Sequence, residues 1–77
     1  MNIHVVVITC EQIRGARAML GLTQAELGEL AGYSKTAITN IESGKSDAKG
    51  STLRAIQKAL EVAGVEFNAD GRGVRLR

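Results

Sequence analysis

Residues 23–45 have the sequence TQAELGELAGYSKTAITNIESGK, and this stretch decides the fold. It contains the start and stop signals of two short helices. Thr23 and Ser34 are residue types whose side-chain oxygens cap helix N-termini, while Gly32 and Gly44 tolerate the left-handed conformation in which helices often end. The stretch therefore predicts a helix of about two turns, a tight turn and a second short helix.

Apolar side chains recur at helical spacing in both segments, so each helix is predicted to bury one face. The inward-facing residues are Leu27, Leu30 and Ala31 in the first helix, and Ala37, Ile38 and Ile41 in the second, which we expect at residues 35–43. Gly28 interrupts the first helix, where a glycine costs roughly 1 kcal/mol relative to alanine. Its presence indicates that the following helix approaches closely at this point.

The chain on the N-terminal side contains a further predicted helix. Thr9 and Gln12 have the spacing of a capping box, and Gly21 is the expected end of the helix that follows them. The β-branched run from Val5 to Val7 disfavours helix. Residues 1–8 are therefore predicted to form an extended N-terminal arm.

On the C-terminal side, Ser51 is the expected N-cap of another helix and Gly64 is its expected end. Beyond Gly64 the hydrophobic period changes to two, which predicts a β-hairpin over residues 65–77. The fold class is thus mostly α, with four to five helices and a short hairpin. The predicted organisation is an arm at 1–8, a helix-turn-helix domain at 9–64 with the helix-turn-helix proper at 23–45, and the hairpin.

The composition limits the class of protein. A chain of 77 residues supports one domain, and its single cysteine, Cys10, forms neither an internal disulfide nor a multi-thiolate metal site. A cytoplasmic location is expected, because no targeting or membrane-spanning segment is recognised. Residues 1–34 carry two basic and three acidic side chains, whereas residues 35–77 carry eight basic and five acidic ones. The excess of basic side chains in residues 35–77 suits a polyanionic partner.

The sequence contains no catalytic constellation. Its only histidine, His4, lies in the predicted arm with no evident acidic partner. His4 and Cys10 together are too few to supply a four-ligand zinc site. We therefore expect no enzymatic activity, no metal and no cofactor.

The motifs of this chain resemble the lambda-repressor/Cro-like (XRE-type) helix-turn-helix family. The matching residues are Leu22-Thr23-Gln24-Ala25-Glu26-Leu27, then Gly32, Ser34 and Ile38, then Ile41-Glu42-Ser43-Gly44-Lys45. The resemblance covers roughly residues 12–60. It implies a compact lambda-repressor-like domain in which the helix predicted at residues 35–43, the third in chain order, enters the major groove of DNA and contacts base edges.

The resemblance also implies a role for each matching polar residue. The expected base contacts share the exposed face of the third helix and are Lys35, Thr36, Thr39 and Asn40. The expected phosphate contacts are Gln24, Ser34, Ser43 and Lys45. Arg17 and Glu42 are expected to form a partly buried structural ion pair between the first and third helices.

The expected function is sequence-specific binding of double-stranded DNA by a transcriptional regulator, with repression as the expected outcome. A homodimer on a palindromic operator is predicted, because two copies spaced one DNA turn apart combine their contacts. The open edges of the hairpin are expected to pair either with a partner subunit or with residues 5–8 of the arm. The candidate dimer contacts are Val65, Phe67, Val74 and Leu76. An alternative stays open: an antitoxin that binds its own promoter and a toxin protein. No membrane partner is expected.

Overall fold

The computed structural model describes residues 8–45, 47–68 and 73–77 of the chain. These residues form four helices and two strands, namely α1 (Cys10–Leu20), α2 (Gln24–Ala31), α3 (Lys35–Glu42), α4 (Gly50–Ala63), β1 (Val65–Phe67) and β2 (Val74–Leu76). The predicted mostly helical fold with a C-terminal hairpin is confirmed. Residues 1–7 of the predicted extended arm lie outside the described residues, and Ile8, its last residue, is buried in the core.

Local capping signals set the starts of the first three helices. Thr9 and Thr23 each form the predicted capping box, in which the hydroxyl accepts the N–H of Gln12 or Glu26 and the side chain of that residue accepts the cap N–H in return. Ser34 caps α3 through its hydroxyl. The glycines that follow α1 and α2 have positive φ, as expected for helix stops.

Two helix limits differ from the sequence prediction. Helix α3 ends one residue early, at Glu42. Helix α4 begins at Gly50 with Lys49 as its N-cap and no side-chain cap, so the predicted cap at Ser51 is wrong. The Lys49 carbonyl already accepts the N–H of Leu53 at 3.0 Å, which places Ser51 inside the first turn.

The four helices meet in one apolar core that the hairpin closes on one side. Its largest fully buried apolar side chains are Ile13, Leu27, Ile38, Ile56, Leu60 and Val65. Full burial of one such side chain contributes about 1.5 to 3 kcal/mol relative to leaving it exposed. Leu30 was predicted to face inward, but it is 56% exposed. That prediction is wrong because α2 turns Leu27 and Gly28 toward the core and leaves Leu30 along an open groove beside α4.

The hairpin pairs β1 and β2 antiparallel, with Val65 opposite Leu76 and Phe67 opposite Val74. It packs against α1 and α4. Val65 is completely buried by its own chain, which contradicts its predicted role as a dimer contact, because no surface remains for a partner. Phe67 and Val74 are half-buried against the same core, whereas Leu76 is 57% exposed.

Gln12 fastens the hairpin to the start of α1. Its buried side chain accepts the Thr9 N–H at Oε1 and donates from Nε2 to the carbonyls of Asn68 and Gly73, at 3.2 and 2.9 Å. Asn68 directly follows β1 and Gly73 directly precedes β2. A buried polar group without a partner costs about 1 to 3 kcal/mol, so these bonds hold the hairpin in one place.

Gly28 lies at a close approach, as its position in a helix predicts, but the approaching backbone is the turn before α3 and not α3 itself. A Cβ atom at this position would lie 2.4 Å from the Tyr33 carbonyl oxygen. The Gly28 carbonyl in turn accepts the N–H groups of Gly32 and Tyr33, both at 2.8 Å. The turn that leads into α3 is therefore packed on the backbone of α2, and this contact sets the direction of α3.

Candidate nucleic-acid interface

Helix α3 has one buried face and one polar, exposed face. Ile38 and Ile41 face the core. On the other side Lys35, Thr36 and Thr39 are exposed, and Asn40 is half-buried. All four residues expected to contact bases therefore lie on α3, and three of them are open to a partner.

An ion pair with α1 holds the C-terminal end of α3. The Arg17 guanidinium donates from Nε to Glu42 Oε2 at 2.8 Å and from Nη2 to Oε1 at 3.1 Å. Glu42 is only 2% exposed, whereas the Arg17 side chain is 24% exposed. The hydrogen bond to Glu42 raises the pKa of Arg17 above its usual value. The two-pronged contact shows that the pair expected between these residues is present.

Two further contacts from α1 and the loop after it strengthen this junction. Arg14 donates from Nη1 to the backbone carbonyl of Glu42. Arg17 also donates from Nη1 to the Leu22 carbonyl at 3.0 Å. The last turn of α3 is thus tied to α1 through both the side chain and the backbone of Glu42.

Gln24 joins the same network from the first turn of α2. Its Nε2 donates to Glu42 Oε1 at 3.1 Å, and its Oε1 accepts from Thr39 Oγ1 at 2.9 Å. Thr39 Oγ1 also lies 2.9 Å from the Lys35 carbonyl oxygen, the preceding-turn bond that threonine often makes in helices. The network therefore links the start of α2 to the exposed face of α3.

The N-terminus of α2 opens on a depression of about 670 Å³, whose lining includes Arg17, Gln24 and Lys35. The backbone N–H groups of Gln24 and Ala25, in the first turn, meet no acceptor within the described residues. Helix N-termini attract anions because such free N–H groups and the helix dipole both favour negative charge. The depression therefore combines features that suit a phosphate oxygen.

The remaining expected phosphate contacts lie at the two ends of α3. Ser34 uses its oxygen to accept the Ala37 N–H at 3.0 Å, which leaves its own proton available. Ser43 donates its proton to the Asn40 carbonyl at 3.1 Å. Lys45 is exposed beyond the helix. The structure thus leaves Ser34 and Lys45 ready to donate, and Ser43 engaged.

Sequence reasoning missed two contacts that hold the interface in place. Arg14 precedes Arg17 by three residues, a spacing that puts both on one helix face, and this was the available signal. The second contact joins the turn between α2 and α3 to α4. In it, the Tyr33 hydroxyl donates to Thr52 Oγ1 at 3.1 Å. Its partners lie 19 residues apart, and no local pattern announces it.

For metal sites and membrane-spanning helices, the relevant part of the chain is residues 8–45, 47–68 and 73–77, which the structure describes. Within those ranges no cluster of His, Cys, Asp and Glu side chains has the arrangement of a metal site. No helix in the same ranges has the length and apolar character needed to cross a membrane. His4 lies outside them.

Comparison with known proteins agrees with this geometry. The helix-turn-helix family matches residues 13–67, which cover α1 from Ile13 onward, all of α2 to α4, and β1. The chain is also 39% identical over 51 residues to repressor protein C2 of Salmonella phage P22. That match covers 66% of this chain and 24% of the phage protein, so the chain spans about a quarter of its relative's length. The chain therefore belongs to the helix-turn-helix family, in its lambda-repressor/Cro-like form.

Proposed function

We propose that this chain is a transcriptional regulator that binds double-stranded DNA in a sequence-specific manner, with α3 in the major groove. The observation that carries the proposal is the polar, exposed face of α3, held on a helix that is anchored at both ends. The Gly28 contact fixes its start, and the Arg17–Glu42 pair fixes its end. Because a recognition helix must present its side chains in one fixed orientation, such anchoring suits base recognition.

Polar side chains of α3 have the chemistry that base edges require. Lys35 can donate to guanine O6 and N7, and Asn40 can bond to adenine N6 and N7. Thr36 can offer a hydroxyl to a base or a methyl group to thymine. We propose these three residues as base contacts.

The phosphate contacts are proposed on both sides of this helix. Gln24 and the free first-turn N–H groups of α2 would hold one phosphate, while Ser34 and Lys45 would hold others near the ends of α3. Ser43 would join them only if its hydroxyl released the Asn40 carbonyl. These contacts set the position of α3 on the duplex, and the base contacts set the sequence.

The proposal includes repression by a homodimer on a palindromic operator. Repression is supported by the similarity to the phage protein, which is named as a repressor. Among the candidate dimer contacts, Leu76 is the most exposed, and Phe67 and Val74 offer partial surfaces. Leu76→Glu should therefore yield a monomer in sedimentation velocity, whereas the control Val62→Glu, at an exposed position on α4, should not. A dimeric Leu76→Glu protein would remove the hairpin from the interface.

Selection from a random duplex pool tests DNA recognition directly. The wild-type chain should enrich a sequence with twofold symmetry, and the double variant Lys35→Ala/Asn40→Ala should lose that enrichment. Lys58→Ala removes the same charge from α4, beside the groove that Leu30 lines, and should enrich the wild-type sequence. The proposal fails if the wild type enriches no sequence, or if the double variant enriches the same one.

The antitoxin alternative receives no specific support from the family match or from the phage repressor, so it stays a prediction. The cytoplasmic location likewise stays a prediction. Family membership favours a DNA-binding regulator and gives no support for enzymatic activity.

A further inference from the structure

We propose that Thr39 acts as a positioning residue for Gln24 and does not hydrogen-bond a base. This inference rests on the proposed function and deepens it. Thr39 and Glu42 would together hold the Gln24 amide in one orientation, so that a single amide N–H is presented to a DNA phosphate. The expected base contact at Thr39 is thereby replaced by an indirect role.

The charge on Glu42 decides the orientation of the Gln24 amide. Glu42 Oε1 accepts from Gln24 Nε2 at 3.1 Å while it also accepts from Arg17 Nη2 at 3.1 Å. If the amide were flipped, its carbonyl oxygen would face a carboxylate that can only accept. The amide nitrogen must therefore face Glu42, and the amide oxygen must face Thr39.

The Thr39 hydroxyl has little left for a base. A hydroxyl carries one proton, and Thr39 Oγ1 lies 2.9 Å from both Gln24 Oε1 and the Lys35 carbonyl oxygen. These two acceptors share the proton. A base acceptor would have to displace them, and the displaced Gln24 oxygen would lose its donor from the protein.

The Gln24 amide, in contrast, keeps one unused hydrogen. A primary amide has two N–H groups, and Glu42 takes only one of them. Gln24 lines the depression at the start of α2, together with Arg17 and Lys35. A donor held in an electropositive depression next to free helix N–H groups suits an anionic oxygen. The ligand implied is a backbone phosphate of the duplex.

The test uses duplexes that each carry one neutral methylphosphonate linkage, made from a sequence that the wild type binds. Replacing the phosphate that Gln24 contacts should weaken wild-type binding about tenfold, as expected for a hydrogen bond to a charged group. Gln24→Ala should show a smaller penalty, because only the first-turn N–H groups of α2 then hold that phosphate. Thr39→Val, which removes the hydroxyl and keeps the side-chain shape, should show the same smaller penalty, whereas Thr39→Ser should keep the full one.

A matched control and a base-preference measurement separate positioning from base contact. Ser51→Ala removes an exposed hydroxyl of α4 that has no partner within the described residues, and it should keep the full methylphosphonate penalty. Thr36→Val, the same change as Thr39→Val at an exposed threonine of α3, serves as the control for the measurement without DNA. Thr39→Val should select the same base sequence as the wild type. The inference is overturned if Thr39→Val keeps the full penalty, or if it changes the preferred base at one position.

A measurement without DNA distinguishes failure of this inference from failure of the proposed function. In NMR spectra of the free protein, the Gln24 side-chain amide protons should exchange with solvent more rapidly in Thr39→Val than in the wild type or in Thr36→Val. Equal exchange in all three proteins would contradict the positioning role. Faster exchange in Thr39→Val, combined with no binding of any duplex, would refute DNA binding and leave the intramolecular contact standing.

Discussion

Replacing Gly28 with alanine should destabilise the protein, although alanine is the better helix former. A Cβ at this position would lie 2.4 Å from the Tyr33 carbonyl oxygen, about 1 Å short of ordinary contact. The obstacle is backbone, and the same turn is fastened to the Gly28 carbonyl by two hydrogen bonds of 2.8 Å. The turn therefore cannot move away without straining or losing those bonds.

Two opposing terms give the size of the effect. Alanine gains about 1 kcal/mol over glycine in a helix interior. Forcing an extra methyl group into a packed contact costs about 1 to 3 kcal/mol, and the upper part of that range applies here because a carbonyl oxygen cannot rotate away as a side chain does. The net loss should be about 1 to 2 kcal/mol.

Urea denaturation followed by circular dichroism measures this loss. With a slope of about 1 kcal/mol per molar urea for a chain of this size, the midpoint should fall by about 1 to 2 M. Gly50→Ala is the matched control, because the nearest atom to a Cβ there is Arg54 Nη1 at 3.5 Å, an ordinary contact. The packing argument is refuted if Gly28→Ala is as stable as Gly50→Ala.

Three more variants test the interface. Glu42→Ala should lower the unfolding free energy by about 2 to 4 kcal/mol. The loss is smaller than that for a fully buried pair because Arg17 is partly exposed. A loss under about 1 kcal/mol in urea denaturation would mean that the pair contributes little. Asn40→Ala should weaken binding to the selected sequence by about 1 to 3 kcal/mol and leave random DNA nearly unaffected in fluorescence anisotropy. Equal losses on both would argue against base contact. Lys45→Ala should reduce the slope of log affinity against log salt by about one unit, and an unchanged slope would remove Lys45 from the phosphate contacts.

The features that the sequence predicted well depend on neighbouring residues. The capping boxes at Thr9 and Thr23 each involve residues three apart, so the spacing alone identifies them. Gly28 was informative for a different reason, because a glycine inside a helix conflicts with local preference and so indicates a tertiary contact. Such local rules were sufficient for the helices and the turn between α2 and α3.

The predictions that failed concern choices that only packing decides. Ser51 is a good cap in isolation. However, the Lys49 carbonyl accepts the N–H of Leu53, so α4 begins before Ser51 and contains it. Leu30 has the right spacing for the core, yet a helix of two turns buries only a narrow side. Val65 was a candidate dimer contact of the hairpin, but β1 packs that side chain into the core of its own chain.

The candidate site was predicted as a set of residues and not as a network. The resemblance named Gln24, Thr39 and Glu42 separately, but their mutual bonds span 15 and 18 residues and follow from the crossing of α2 and α3. The individual DNA contacts stay predictions, which the variants above address. What the structure adds is that one exposed hydroxyl of α3 is already committed to a neighbour.

The bonds of Gln12 join the two ends of the described chain. The same amide completes the first turn of α1 and holds the backbone on both sides of the hairpin, 56 and 61 residues away. Peeling the last strand from the domain would leave a buried amide without partners, so opening at one terminus should loosen the other. Slow amide exchange in β1 and at the start of α1 should accordingly share one opening rate.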